Sequence, residues 1–249
     1  MATPRAKQRA TILTGAAGGI GRDVAAALSA AGDRLLLADI DLSGARRLAA
    51  RLRKGGRDVA AIGVDIADPE SARAMAAAAL DRFGRIDALV HAAGIDAPKG
   101  KAWLLGDDHW RKVIDVDLSG AWWCAKAVLP AMLRQRAGRI VLIGSSSGRT
   151  HNIAVSAAYN AAKSGINGLA IGLSAQVEAK GVRVNVVAPG PTGTGNAFTP
   201  AERRAYRRTH PLGEGGTRPV VEACLYLLGP GGDWMSGSVV NVSGGRLRG

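Results

Sequence analysis

Thr14-Gly15-Ala16-Ala17-Gly18-Gly19-Ile20-Gly21 decides the fold of this 249-residue chain. The apolar run Ala10-Thr11-Ile12-Leu13 before it reads as a β-strand, and Val24-Ala25-Ala26-Ala27-Leu28 after it reads as a helix packed through small residues. A glycine-rich turn from strand to helix presents backbone N–H groups at the positive end of a helix dipole, which suits a pyrophosphate. Gly15 permits the tight turn, Gly19 lets the backbone approach the phosphates, and Gly21 lets the helix sit close on the sheet. Gly18 and Ile20 belong to the same phosphate-binding turn. The spacing is G-x-x-x-G-x-G, and with 34 glycines in the chain the cluster alone is weak. The strand before it and the helix after it give it meaning against the alternative of a loop that merely turns a βα corner.

Outward from this stretch, apolar runs alternate with helical patterns. Residues 34–39, 58–65, 86–94, 138–144, 182–188 and 239–242 read as further strands, and their near-continuous apolar character suits parallel strands covered on both faces. Residues 42–54, 71–83, 108–136, 157–180 and 218–228 read as helices, with a break expected near Val128 because Pro130 lies inside the pattern. Short connections without repeats or an interdomain linker predict a single α/β domain over 10–249, a doubly wound parallel sheet, preceded by a ragged tail over 1–9. Residues 193–216, rich in Gly and Arg, read as a mobile lid insertion that Gly213, Gly215 and Gly216 would hinge.

Bulk composition narrows the function. Apolar residues make up 47%, so the chain is globular. It shows neither a secretory h-region nor a run long enough to span a membrane, so a soluble cytoplasmic protein is expected. Cys124 and Cys224 lack metal-ligand spacing and read as buried thiols of a reduced compartment, with no metal site. The net charge of +13 raises nucleic acid, a membrane surface or an anionic substrate. Its arginines, however, fall on outer helix faces among alanines (Arg46, Arg47, Arg51, Arg53; Arg134, Arg136, Arg139) without interleaved aromatics, which argues against nucleic acid.

Asp39 ends the second strand, 18 residues past Gly21, where a carboxylate accepts both hydroxyls of an adenosine ribose and repels a 2′-phosphate. Ile40 follows it instead of an arginine, and Gly18 stands where a basic side chain would help a phosphate, so NAD is expected over NADP. Helix capping is the other reading of Asp39, a role open also to Asp41 or Ser43. Asp65 and Ile66 would border the adenine, or Asp65 would turn the chain before Pro69. Ala92 and Gly94 leave room for a cofactor at the end of the fourth strand. Tyr159 and Lys163 lie one helical turn apart, on one face. A tyrosine titrates near 10, and a neighbouring ammonium brings its phenolate into a useful range for proton transfer. Ser145, Ser146 and Ser147, at the end of the fifth strand, offer a hydroxyl to a substrate oxygen.

On these residues the chain resembles the short-chain dehydrogenases/reductases over essentially its full length. The matching pieces are Thr14-Gly15-x-x-x-Gly19-Ile20-Gly21, Asp39, Asp65, Tyr159-x-x-x-Lys163, Arg183-Val184-Asn185, Pro189-Gly190-Pro191-x-x-Thr194 and the tail 237–245. The resemblance implies a Rossmann fold and hydride transfer between NAD(H) and a secondary alcohol or ketone. It makes Tyr159 the general acid/base and has Lys163 bind the nicotinamide ribose. Ser145 would position the substrate oxygen, Thr194 and the backbone near Thr192 would hold the carboxamide, and Pro189 would border the cofactor. Ser145 fits the family's strand end, whereas a spacing of thirteen residues to the tyrosine picks Ser146; Ser145 is preferred.

Three positions depart from the family's pattern. His91-Ala92-Ala93-Gly94 replaces Asn-Asn-Ala-Gly, Asp117 replaces the catalytic asparagine, and Ser243 replaces a frequent aspartate. Asp117 would compete for Lys163, raise the Tyr159 pKa and move the activity optimum to higher pH. His91 reads as a satisfied strand-end histidine. His151, Asn152 and Ile153, residues 94–98 and the lid would wall the substrate pocket, with His151 and Asn152 reading a polar substrate. Arg203, Arg204, Arg207 and Arg208 stripe the lid. Family members are commonly tetramers, and Trp110, Trp122 and Trp123 would supply buried area in a homo-oligomer, tetramer or dimer. The competing functions are an NADPH-dependent, carrier-linked 3-oxoacyl reductase and a non-catalytic NAD-binding sensor.

Overall fold

The computed structural model describes residues 8–54, 56–95, 101–150, 155–193 and 199–248. Seven parallel strands form one sheet in the order β3-β2-β1-β4-β5-β6-β7. They are β1 (Ala10–Thr14), β2 (Arg34–Asp39), β3 (Val59–Gly63), β4 (Ala88–His91), β5 (Gly138–Ile143), β6 (Val182–Pro189) and β7 (Val239–Val242). The chain steps from β1 out to β3, then crosses back to β4 on the other side of β1. This reversal opens a crevice at the carboxyl ends of β1 and β4, where α/β sheets bind their ligands.

The strands are apolar throughout because both faces are covered. Ile12, Leu36, Leu89, Ile140 and Val184 pack on one face against α3 (Pro69–Phe83), α5 (Gly120–Gln135) and α6 (Ala157–Val177). Leu13, Leu37, Val90, Val141 and Val187 pack on the other against α1 (Gly19–Ala30), α2 (Leu42–Arg53) and α8 (Arg218–Leu228). Arg9 joins the folded unit through an ion pair with Asp33 at 2.9 Å.

The structure corrects two expectations about the elements. First, α1 begins at Gly19 rather than Val24, because the glycine-rich stretch itself supplies the helix's first turn. Second, the single helix expected over 108–136 is α4 (Asp107–Ile114), a π-helical turn (Asp115–Ser119) and α5. No break falls near Val128. The helix runs through Pro130, since buried Val128, Ala131 and Met132 hold that stretch against the sheet despite the lost backbone hydrogen bond. The segment 193–216 carries a helix, α7 (Pro200–Thr209), and its exposed Arg203 pairs with Glu214 at 2.6 Å.

Arg46, Arg47, Arg51, Arg53, Arg134 and Arg136 are exposed, as expected of outer helix faces. Arg139 differs: it is half-buried, with its guanidinium on the Leu227 carbonyl and Asp233.

Candidate active site

The crevice holds a cavity of about 530 Å³. Gly15, Gly18, Gly19, Ile20 and Gly21 wall one side, Ala92 and Gly94 the floor, and Asp117, Ser145, Tyr159 and Lys163 the far side, with Pro189 and Thr192 at the rim. Residues distant in the chain thus converge at the carboxyl ends of the central strands. Thr194, His151, Asn152 and Ile153 lie outside the described residues, as do 96–98 of the expected pocket wall.

The glycine positions follow from close approach. Gly15 has φ +67°, and a Cβ there would meet the backbone at Ala92 and Ala93 at 2.6–2.7 Å. A Cβ at Gly21 would strike the Gly15 carbonyl. The first turn of α1 has Gly18 as its N-cap, with no side-chain cap and no acidic residue. Its N–H groups therefore lack the usual side-chain partner and face the cavity, an arrangement that fits a pyrophosphate.

Asp39 ties β2 to this turn. Its Oδ2 accepts from Ala17 N and its Oδ1 from Asp41 N, both at 2.8 Å. The cap of α2 is Asp41, which accepts from Gly44 N at 2.9 Å. Ile40 is 78% exposed beside it. Asp65 is exposed and accepts from Ala67 N, while Asp68 caps α3. The Ile66 side chain is buried in the core close to Gly120, so it does not line the cavity.

Ser156 caps α6, accepting from Tyr159 N at 3.2 Å, and so sets Tyr159 in the first turn. Lys163 follows one turn later, 5% exposed, with Nζ 5.4 Å from the Tyr159 ring centroid. Asp117 sits in the π-helical turn, fully buried, with Oδ2 3.4 Å from Lys163 Nζ and Oδ1 accepting from Ile95 N at 2.7 Å. A Cβ at Gly94 would stand 3.3 Å from both Asp117 Oδ1 and Lys163 Nζ, so a side chain there would crowd this corner. Of the three serines, Ser146 and Ser147 are buried, and Ser145 is partly exposed with its Oγ accepting from Ser147 N at 3.1 Å.

The sequence reading missed several contacts because they arise only through space: Ala17 on Asp39, Ile95 on Asp117, and a second cavity of about 460 Å³. That cavity lies between Tyr206, Leu212 and the 241–245 tail, and meets the first at Gly190, Pro191 and Thr192. Ser243 lines it and accepts from Leu247 N. Tyr206 stacks on His210 with ring centroids 4.1 Å apart.

A doubly wound sheet with an uncapped glycine turn and a Tyr–Lys pair at its crevice defines an α/β protein of the NAD(P)-binding Rossmann type. The chain belongs to the short chain dehydrogenase family, whose model matches residues 9–204. It is thereby an oxidoreductase of CH–OH and keto groups. A 3-oxoacyl-[acyl-carrier-protein] reductase FabG of Salmonella typhimurium is 32% identical over 237 residues, 94% of this chain and 95% of that one. A cis-4-hydroxycyclohexanecarboxylate dehydrogenase of Sinomonas cyclohexanicum is 35% identical over 242 residues, 96% of each chain. A 3-oxoacyl-[acyl-carrier protein] reductase with bound NAD from Brucella melitensis superposes with a TM-score of 0.87 at 30% identity, covering 98% of this chain and 94% of that one.

Proposed function

We propose that this chain is an NAD-linked dehydrogenase that interconverts a small secondary alcohol and its ketone. The observation that carries the reading is the meeting of the uncapped α1 turn with Ser145, Tyr159 and Lys163 around one cavity. A bound nicotinamide supplies the hydride acceptor or donor. In oxidation Tyr159 Oη takes the proton of the carbinol oxygen and in reduction it returns it. Ser145 donates a hydrogen bond to the same oxygen, and Lys163 holds the ribose and lends positive charge to the phenol. Asp117 shares that charge and so tunes the pair. The adenosine side falls to Asp39, Ile40, Asp65 and the backbone near Ile66.

Asp39 supports NAD. Each of its oxygens already accepts one backbone N–H and keeps a lone pair for a ribose hydroxyl. A 2′-phosphate would meet an anion there, with Ile40 rather than a cation beside it. The Sinomonas relative, by its name a dehydrogenase of a ring alcohol, agrees with oxidation of a secondary alcohol. A side-by-side fluorescence titration with NADH and NADPH tests the reading. Tighter NADH binding is expected. Tighter NADPH binding would replace it with a carrier-linked 3-oxoacyl reductase, a reading that the FabG relative favours. The enzyme acts as a homo-oligomer, because Trp110 is 48% exposed on α4 and Trp122 and Trp123 are only half-buried on α5.

A further inference from the structure

The second cavity, of about 460 Å³, takes no part in the chemistry described so far. It shares Gly190, Pro191 and Thr192 with the catalytic cavity, so a substrate held at Tyr159 would extend into it past Pro191. Tyr206 marks the passage: it lines the second cavity, and its Oη donates to the Pro191 carbonyl at 3.4 Å. The stack of Tyr206 on His210, and the bond from Leu212 N to the Gly244 carbonyl at 3.1 Å, hold α7 and the turn after it against the 241–245 tail. The walls are thus set before any ligand arrives.

These walls offer donors. The N–H groups of Gly215, Gly216, Gly244 and Gly245, all lining residues, meet no hydrogen-bond acceptor among the described residues. Ser243 is 3% exposed; its Oγ accepts from Leu247 N at 3.0 Å, and its proton has no acceptor among the described residues. The carbonyls of Pro191, Val242, Ser243 and Gly244, by contrast, each already accept a hydrogen bond, as does Asn241 Oδ1 from Ser243 N. Charge points the same way. The Arg207 guanidinium reaches the wall at Gly213, 3.9 Å from where a Cβ of that residue would stand. Arg204 and Arg208 flank it on α7, and Arg246 follows the tail, its charge felt by both Tyr206 and His210. Glu214, the acid between Gly213 and Gly215, is paired with Arg203 at 2.6 Å. A pocket of donors beside guanidinium groups stabilises an acceptor that carries negative charge.

We propose that this cavity is the subsite for a carboxylate: the substrate is a hydroxy acid, its carbinol carbon at Tyr159 and its acid group beyond Pro191, received by the Ser243 hydroxyl, the glycine N–H groups and Arg207. The inference rests on the reading that Tyr159 works on a secondary alcohol, and it names the class of that alcohol.

Calorimetric titration without turnover tests the subsite, and kinetics test its use. Hexanoate and hexanamide share a shape and differ in charge. Hexanoate should bind the parent about tenfold tighter, the gain from one hydrogen bond to a charged group. Arg207→Gln and Ser243→Asp should each remove most of that preference, the first by taking out a cation and the second by setting a carboxylate in the cavity. Equal binding of the two probes, or a preference that survives in both variants, overturns the proposal. Arg207 is exposed, so its variant decides if Ser243→Asp does not fold. With NAD, 5-hydroxyhexanoate or a longer homologue should be oxidised with a kcat/KM about tenfold above that of its methyl ester, and Arg207→Gln should narrow the gap through KM rather than kcat. Acid and ester oxidised alike would overturn the proposal. If the parent binds neither NADH nor NADPH, the dehydrogenase reading falls, and the hexanoate titration still decides the subsite.

Discussion

Asp117 brings a carboxylate to within 3.4 Å of Lys163, one helical turn on from Tyr159. It divides the ammonium's field between itself and the phenol, so Asp117→Asn should lower the pH optimum of turnover by about one unit. A pH–rate profile of the two proteins checks this, and an unmoved profile would confine Asp117 to holding Ile95. Tyr159→Phe should cut turnover about 10²–10⁴-fold, the range of a lost general acid/base, while NADH binding persists; surviving turnover would remove Tyr159 from its role. His91 also sets an acid limit on stability. Its folded pKa of about 3 lies below the ordinary 6.5, so the unfolded chain takes up the proton first. Stability is therefore intact above pH 6.5 and falls as pH drops toward 3, by about 2 kcal/mol between pH 6.5 and 5. Urea unfolding at these two pH values should show a smaller loss in His91→Asn than in the parent.

Among the elements, α1 is the one on which the cleft turns. Its first turn is uncapped and its approach to β1 is set by Gly21, so Gly21→Ala should abolish NADH binding and destabilise the fold by about 1–3 kcal/mol, the usual cost of overpacking. Titration and thermal unfolding measure both effects, and a variant that binds as the parent does would show that α1 can shift. The alternation of strands and helices was legible because each apolar run is bounded by turn residues and covered on both faces. The motif residues of the cleft were legible by their spacing. The π-helical turn was not. Asp115-Val116-Asp117-Leu118-Ser119 has ordinary helical composition, and only the burial of Asp117 against Lys163 distinguishes that turn in space. Pro130 misled because the rule counts the lost hydrogen bond and not the three buried side chains around it. The helix α7 was obscured by its flanking glycines, although its arginines already repeated at helical spacing.

At the scale of the whole molecule, the two cysteines of the interior and the large apolar side chains of the surface lead to different predictions. Cys124 and Cys224 are both fully buried, and burial pushes each thiol up to about 12. Neither should react with a thiol reagent at pH 8 until the chain unfolds. The periphery behaves otherwise. Trp103, Trp110 and Trp234 are 77%, 48% and 98% exposed, and Ile171 and Tyr226 are more than half exposed on the outer faces of α6 and α8. Side chains of this size gain about 1.5–3 kcal/mol each when fully buried, and they lie on several elements rather than one. A second copy of the chain would cover Trp110. Light scattering coupled to size exclusion should accordingly find a multiple of the chain mass at micromolar concentration, and Trp110→Glu should shift it toward smaller species. A parent that elutes as a monomer would mean that these aromatics stay in water, and the oligomeric reading would fall.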